Sequence, residues 1–128
     1  MPIGNIDDLL DVKLGTLDEP LSVARSLSDF ADISTLLVHH EVLPPGRAAS
    51  KPHTHTEKEE ITLVLSGHPS LWLDGEVTAL KPGDFIGFNK LEPRPHMLIN
   101  ASDEDAVILT IGTNPPNDLT HFVDLEAY

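Results

Sequence analysis

Residues 51–67 read KPHTHTEKEEITLVLSG. The stretch opens with two histidines around one threonine, passes through a turn dense in glutamate, and ends in an alternating run closed by a glycine. In an extended chain, side chains alternate between faces. His53 and His55 therefore project to the same side, with Thr54 opposite. In the next run Glu60, Thr62 and Val64 share one face, and Ile61, Leu63 and Leu65 share the other. A short turn through Glu57, Lys58 and Glu59 is enough to bring Glu60 beside the histidine pair. Two imidazoles facing a carboxylate form a donor set suited to a divalent first-row metal.

A His-x-His pair alone is weak, because seven histidines in 128 residues give roughly 0.4 such pairs by chance. The spacing to Glu60 and on to Gly67 is what adds weight. Glu59 is the rival carboxylate, since a slip of one residue exchanges it with Glu60. Glu60 is preferred because its spacing to Gly67 fits and Ile61 then starts the opposite, apolar face.

Outward from this stretch, turn chemistry is frequent: Pro44-Pro45-Gly46, Ser66-Gly67, Asp74-Gly75, Pro82-Gly83 and Asn114-Pro115-Pro116-Asn117. Runs of strand length lie between: 33–43, 61–65, 70–74, 76–80, 85–88, 96–100, 106–112 and 119–123. Asp74-Gly75 between two of them reads as a two-residue hairpin turn. Many short strands at even spacing predict a single all-β sandwich or barrel. Helical signal is confined to Asn5–Lys13, with Asn5 or Asp7 as cap, and to Leu21–Ala31, where a strand is equally credible.

Composition narrows the function. With no cysteine, disulfides, thiolate metal sites and cysteine nucleophiles are excluded, and a metal must sit on nitrogen and oxygen. A net charge of −13 with eight scattered Lys and Arg speaks against nucleic acid and anionic membranes as partners. The N-terminal residues lack the basic and apolar regions of a signal peptide, and no run approaches a membrane span. The expectation is a soluble cytoplasmic protein.

A fourth ligand is sought in residues 82–100, PGDFIGFNKLEPRPHMLIN, where His96 is the one histidine and Asn100 follows on the same strand face. Together, PGRAASKPHTHTEKEEITLVLSG and PGDFIGFNKLEPRPHMLIN resemble the two motifs of the cupin superfamily. Asn89 and Leu91 depart from the usual second motif, and two extra residues precede His96. That spacing, with Gly-Asp-x-x-Gly-Phe at its start and His-x-Leu-Ile-Asn at its end, is similar to one uncharacterised group of small single-domain bacterial cupins.

The resemblance implies a double-stranded β-helix, or jelly-roll, barrel over residues 33–128, with residues 1–32 as an N-terminal extension packing on the barrel or on a partner subunit. It assigns His53, His55, Glu60 and His96 as ligands of a divalent transition metal, with Fe, Mn, Ni, Zn and Cu all open. The alternative for these four is a polar barrel interior without metal. Arg94 and Lys51 are candidates to hold a substrate carboxylate or phosphate, although both also suit a solvated surface. Phe88, Met97 and Asn100 are candidate substrate contacts, and no general acid or base stands out.

The resemblance is nearly silent on the reaction. A small metal-dependent enzyme acting on an organic acid or sugar-like substrate is expected, by dioxygenase, isomerase, decarboxylase or lyase chemistry. The alternative is a non-catalytic cupin that binds a sugar or carboxylate. The apolar face of Ile61, Leu63 and Leu65 needs cover, and a homodimer is the expectation by resemblance.

Overall fold

The computed structural model describes residues 2–128. Eleven strands follow one another: β1 (Val12–Gly15), β2 (Pro20–Ser26), β3 (Leu36–Leu43), β4 (His53–His55), β5 (Glu60–Ser66), β6 (Ser70–Leu73), β7 (Glu76–Ala79), β8 (Phe85–Phe88), β9 (His96–Ile99), β10 (Ala106–Thr113) and β11 (Thr120–Phe122). They form a six-stranded sheet in the order β1-β2-β3-β10-β5-β8 and a five-stranded sheet in the order β11-β4-β9-β6-β7. Every pairing is antiparallel. The all-β expectation holds, and the strand runs read from the sequence fall within a few residues of those observed.

Helix is minimal. Residues Ile6–Asp8 make one 3₁₀ turn, with the Asn5 side chain accepting from the Asp7 amide. The ambiguous stretch 21–31 resolves into strand β2 and a four-residue helix, Leu27–Phe30, whose N-cap is Ser26. Strand wins because β2 has a ready partner: Val23 to Ser26 pair with Val42 to His39 of β3. Among the described residues no helix is long and apolar enough to cross a membrane.

The core lies between the sheets. Leu43, Val64, Leu98, Ala106 and Ile108 are buried together with Leu80. Each fully buried Leu, Ile or Val contributes about 1.5–3 kcal/mol of transfer free energy. In β5 burial alternates as the sequence predicts: Thr62 and Val64 are buried, while Ile61 and Leu65 face outward and stay exposed.

Two glycines are fixed by geometry. Asp74 and Gly75, at φ 48° and 91°, form the turn joining β6 to β7, with Leu73 opposite Glu76; both central residues need positive φ, as in a type I′ hairpin. Gly67, at φ 79°, ends β5 where a Cβ would lie 2.5 Å from the Asp105 carbonyl oxygen. No other residue lets the chain pass there.

Asn100 is buried at the end of β9. Its amide donates to the Leu43 and Glu104 carbonyls at 2.8 and 2.7 Å, and its oxygen accepts from Ser102. These bonds tie the end of β9 to the end of β3 and to the turn before β10.

Candidate metal centre

Strand β4 carries His53 and His55 on its inward face, and β9 lies beside it with His53 opposite His96. From the other sheet, Glu60 opens β5. One donor atom each from His53, Glu60 and His96 lies within 4.8 Å of the others. His55 lies beside this group rather than within it: its Nε2 sits 3.0 Å from Glu60 Oε1, and the His53 ring centroid lies 4.8 Å from that of His55 and 4.6 Å from that of His96. The four side chains line one cavity of about 240 Å³.

The local contacts prepare these imidazoles to offer a lone pair. His53 Nδ1–H donates to the Lys51 carbonyl at 2.7 Å, which leaves Nε2 unprotonated in the neutral ring. Burial is the main cause holding the His53 pKa below its ordinary value, against that hydrogen bond. Burial likewise lowers His96 to about 4, helped by the neighbouring His53. Both rings are therefore neutral at physiological pH. Phe88 stacks flat on His96, with ring centroids 3.6 Å apart and planes within 8°.

Glu60 is held ionised. Burial pushes its carboxyl up, but the hydrogen bond from His55 and the charge of Lys58 outweigh it and bring it to about 2. His55 is raised in turn, chiefly by Glu60.

A further carboxylate orients His55. Asp118 Oδ2 accepts from His55 Nδ1 at 2.8 Å, while Asp118 Oδ1 accepts from the amides of Glu57 and Lys58, both at 2.9 Å. One side chain thus fixes the ring's tautomer and the turn that delivers Glu60. This is the carboxylate–histidine arrangement that commonly supports metal ligands. Burial raises the Asp118 pKa, and the two amides and His55 together bring it below the usual range.

No local pattern points to Asp118, which is 63 residues from His55. Glu41 was also missed. It is buried on the inward face of β3 and lines the same cavity. Ser22 donates to its Oε1 at 2.8 Å and Thr110 to its Oε2 at 2.9 Å. Only a reading that anticipated the pairing of β3 with β2 and β10 would find it.

The other residues singled out from the sequence divide. Phe88 and Met97 line the cavity. Arg94 is exposed and paired with Glu92, Lys51 is exposed and paired with Glu19, and Asn100 is occupied with backbone carbonyls; these three are not among the cavity's lining. His39 lines the cavity, whereas its neighbour His40 borders an outer groove.

The donor set fits a divalent first-row metal: neutral imidazoles at His53 and His96, the ionised Glu60 carboxylate, and His55, which must first give up the Nε2 proton it shares with Glu60.

Comparison with known proteins agrees with this architecture. The family model for the cupin domain matches residues 39–112. Among solved structures, a sugar phosphate isomerase of the cupin superfamily from Silicibacter pomeroyi superposes with a TM-score of 0.87 at 26% identity, covering 97% of this chain and 83% of that one. A chain from Acidithiobacillus ferrooxidans, provisionally described as a sugar phosphate isomerase, gives 0.75 at 30% identity over 79% of this chain; the present chain spans 64% of its length. A predicted oxalate decarboxylase from Thermotoga maritima gives 0.73 at 17% identity, covering 88% of this chain and 99% of that one, and speaks to the fold alone. No curated protein matches the sequence. With two antiparallel sheets enclosing the histidine cluster, and with more than half its length matched by the family model, the chain belongs to the cupin domain family and has its double-stranded β-helix fold.

Proposed function

We propose that the protein is a metal-dependent enzyme of isomerase type, acting on a small hydroxylated organic acid or sugar-like substrate. One observation carries the reading: three imidazoles and a carboxylate converge in one cavity, with His53, Glu60 and His96 presenting donor atoms within 4.8 Å of each other. In this reading His53, His55, Glu60 and His96 hold a divalent transition metal. Four protein ligands would fill a tetrahedral zinc shell, so an ion that accepts octahedral geometry, such as Fe, Mn or Ni, fits an enzyme better. When bound, the cation supplies Lewis acidity toward a carbonyl or hydroxyl oxygen.

The chain's own residues do the rest. Phe88 and Asp118 hold His96 and His55 in place. Leu71, Leu98 and Ile108 give the inner end of the cavity apolar walls, with Phe122 at its exposed rim, and these lower the local polarity and strengthen the polar contacts inside. Glu41, set by Ser22 and Thr110, offers a carboxylate to substrate hydroxyls. A volume of about 240 Å³ suits a substrate of a few carbons. The isomerase class is favoured because two of the solved relatives carry that description.

Elemental analysis of protein purified without added metal tests the centre. A stoichiometric transition metal is expected, and His96→Ala should lose it. Protein that holds none and cannot be loaded sinks the reading. The reaction class is tested by incubating loaded protein with a panel of aldose and ketose phosphates in deuterated water. Incorporation of deuterium beside the carbonyl is expected, and its absence across the panel removes the isomerase assignment while leaving the metal centre standing.

A further inference from the structure

Lys58 is a cation placed where the fold has little reason to put one. It lies in the turn between β4 and β5, lines the cavity, and is only 20% exposed. Its Nζ sits 3.7 Å from Glu60 Oε1. Its backbone is pinned by Asp118, which accepts from the Lys58 amide at 2.9 Å. Its aliphatic stem crosses Gly112 of β10, where a Cβ would lie 2.8 Å from Lys58 Cε. A side chain at position 112 would have to displace the end of the stem, so the glycine leaves room for the lysine in its present path.

The chain has 21 Asp and Glu against eight Lys and Arg. Its other paired cations sit on acids outside the cavity, Arg25 on Asp11 and Lys51 on Glu19, both exposed, and Lys81 on Asp84 and Arg94 on Glu92, both partly exposed. The partner of Lys58 is different, because Glu60 is the carboxylate that the reading above gives to the metal. Once Glu60 is engaged, Lys58 is left facing a second positive charge in a poorly solvated space. Like charges so close repel strongly where water is scarce. An anion between them relieves both.

We propose that Lys58 and the metal face formed by His53, Glu60 and His96 together receive an oxyanion group of the substrate, a phosphate or a carboxylate. The proposal rests on the metal reading and narrows its substrate class to anions. An ammonium acts as a compact point charge that satisfies either group. A divalent cation and Lys58 balance the carboxylates Glu41, Glu60 and Asp118, so the loaded site is about neutral within a chain of net charge −13 and can accept an anion. Binding of metal and anion should then be mutually reinforcing, since coupling between two ligands is reciprocal.

The test uses the whole chain loaded with Co(II), whose visible absorption reports the ligand field directly. Inorganic phosphate is titrated in one arm and acetate in another, with wild type, Lys58→Gln and Lys58→Arg. Wild type should show a saturable spectral change. In Lys58→Gln, anion affinity should fall roughly tenfold or more, while cobalt binds at least as tightly because a like charge is gone. Lys58→Arg should retain anion binding. A response to phosphate alone marks a phosphate group and to acetate alone a carboxylate; either supports the site if Lys58→Gln loses it. Equal anion affinity in wild type and Lys58→Gln overturns the proposal, as does cobalt uptake with no response to either anion. Protein that takes up no cobalt overturns the metal reading, and this inference with it.

Discussion

The two faces of the six-stranded sheet come from the same strands by simple alternation, yet around the cavity their chemistry is inverted, while Leu43, Val64, Ala106 and Ile108 keep the rest of the inward face apolar. The inward face presents Glu41, Glu60, Thr62 and Thr110 to the cavity. The outward face presents Leu36, Ile61, Leu65, Phe85 and Ile111, of which Phe85 is 71% and Ile61 51% exposed. A half-buried antiparallel sheet ordinarily places apolar groups inside and polar groups in water. The inversion teaches that the cavity end of the inward face and the apolar outward face are not tuned for the stability of a lone chain. The inward face gives up stability to keep polar groups available to a ligand, and the outward face leaves apolar area for something else to cover.

The largest expected effect that separates the faces is pH dependence, because only the inward one looks onto His53 and His96, both lowered by burial. His96 is lowered by burial from 6.5 to about 4, and His53 is lowered in the same direction. For such a group the unfolded chain binds a proton that the folded chain refuses. Its contribution to stability is therefore complete above pH 6.5 and is lost as the pH falls toward 4. The His96 difference alone is worth about 3 kcal/mol. His55, raised chiefly by Glu60, has the opposite sign: its contribution is present below 6.5 and fades as the pH rises. Urea unfolding of metal-free protein should show stability falling between pH 7 and pH 5, before most exposed carboxylates titrate. A flat profile there would mean that these imidazoles are not buried in the metal-free fold.

A smaller effect, about 1 kcal/mol, is expected at Glu41. A buried carboxylate bonded to two hydroxyls but to no cation is a poor investment for stability alone. Glu41→Gln keeps the shape and removes the buried charge, so the denaturation midpoint should hold or rise. A loss of more than about 1 kcal/mol would instead make Glu41 a structural tie between β2 and β10, and would remove it from the substrate-binding role.

The contrast between faces was partly legible before the strands were seen. Glu60 and Ile61 are sequence neighbours, and alternation alone sends them to opposite sides. The same locality made His53-Thr54-His55 and the Asp74-Gly75 hairpin readable. What escaped was set by strand order. Asp118 meets His55 only because β11 pairs with β4, and Glu41 meets Thr110 only because β3 pairs with β10. No local pattern encodes a contact spanning about sixty or seventy residues. Phe85 and Trp72 illustrate the same limit. Both are aromatic residues on strands that local pattern does not tell apart, yet Phe85 is on the outer face, while Trp72 is buried edge-on against Tyr128, with ring centroids 5.0 Å apart.

The smallest stability effect, and the one that most sharpens the outward side, is at Ile61. Register makes the exposed residues a continuous patch: Ile111 lies opposite Ile61, Leu36 opposite Thr113, and Phe85 opposite Leu63. Apolar patches of this kind mark contact surfaces more often than chance exposure does, and a second copy of the chain is the proposed cover. In a lone chain, Ile61→Lys at a half-exposed strand position should change stability by no more than about 0.5 kcal/mol. At the centre of a dimer the same change buries an unpaired ammonium and should break the assembly. Sedimentation of wild type and Ile61→Lys over a range of concentrations separates the two. A wild-type dimer that becomes a folded, metal-loaded monomer in the variant supports the proposed cover. A wild type that sediments as a monomer throughout removes the homodimer, and the outward face then needs a different partner to account for its composition.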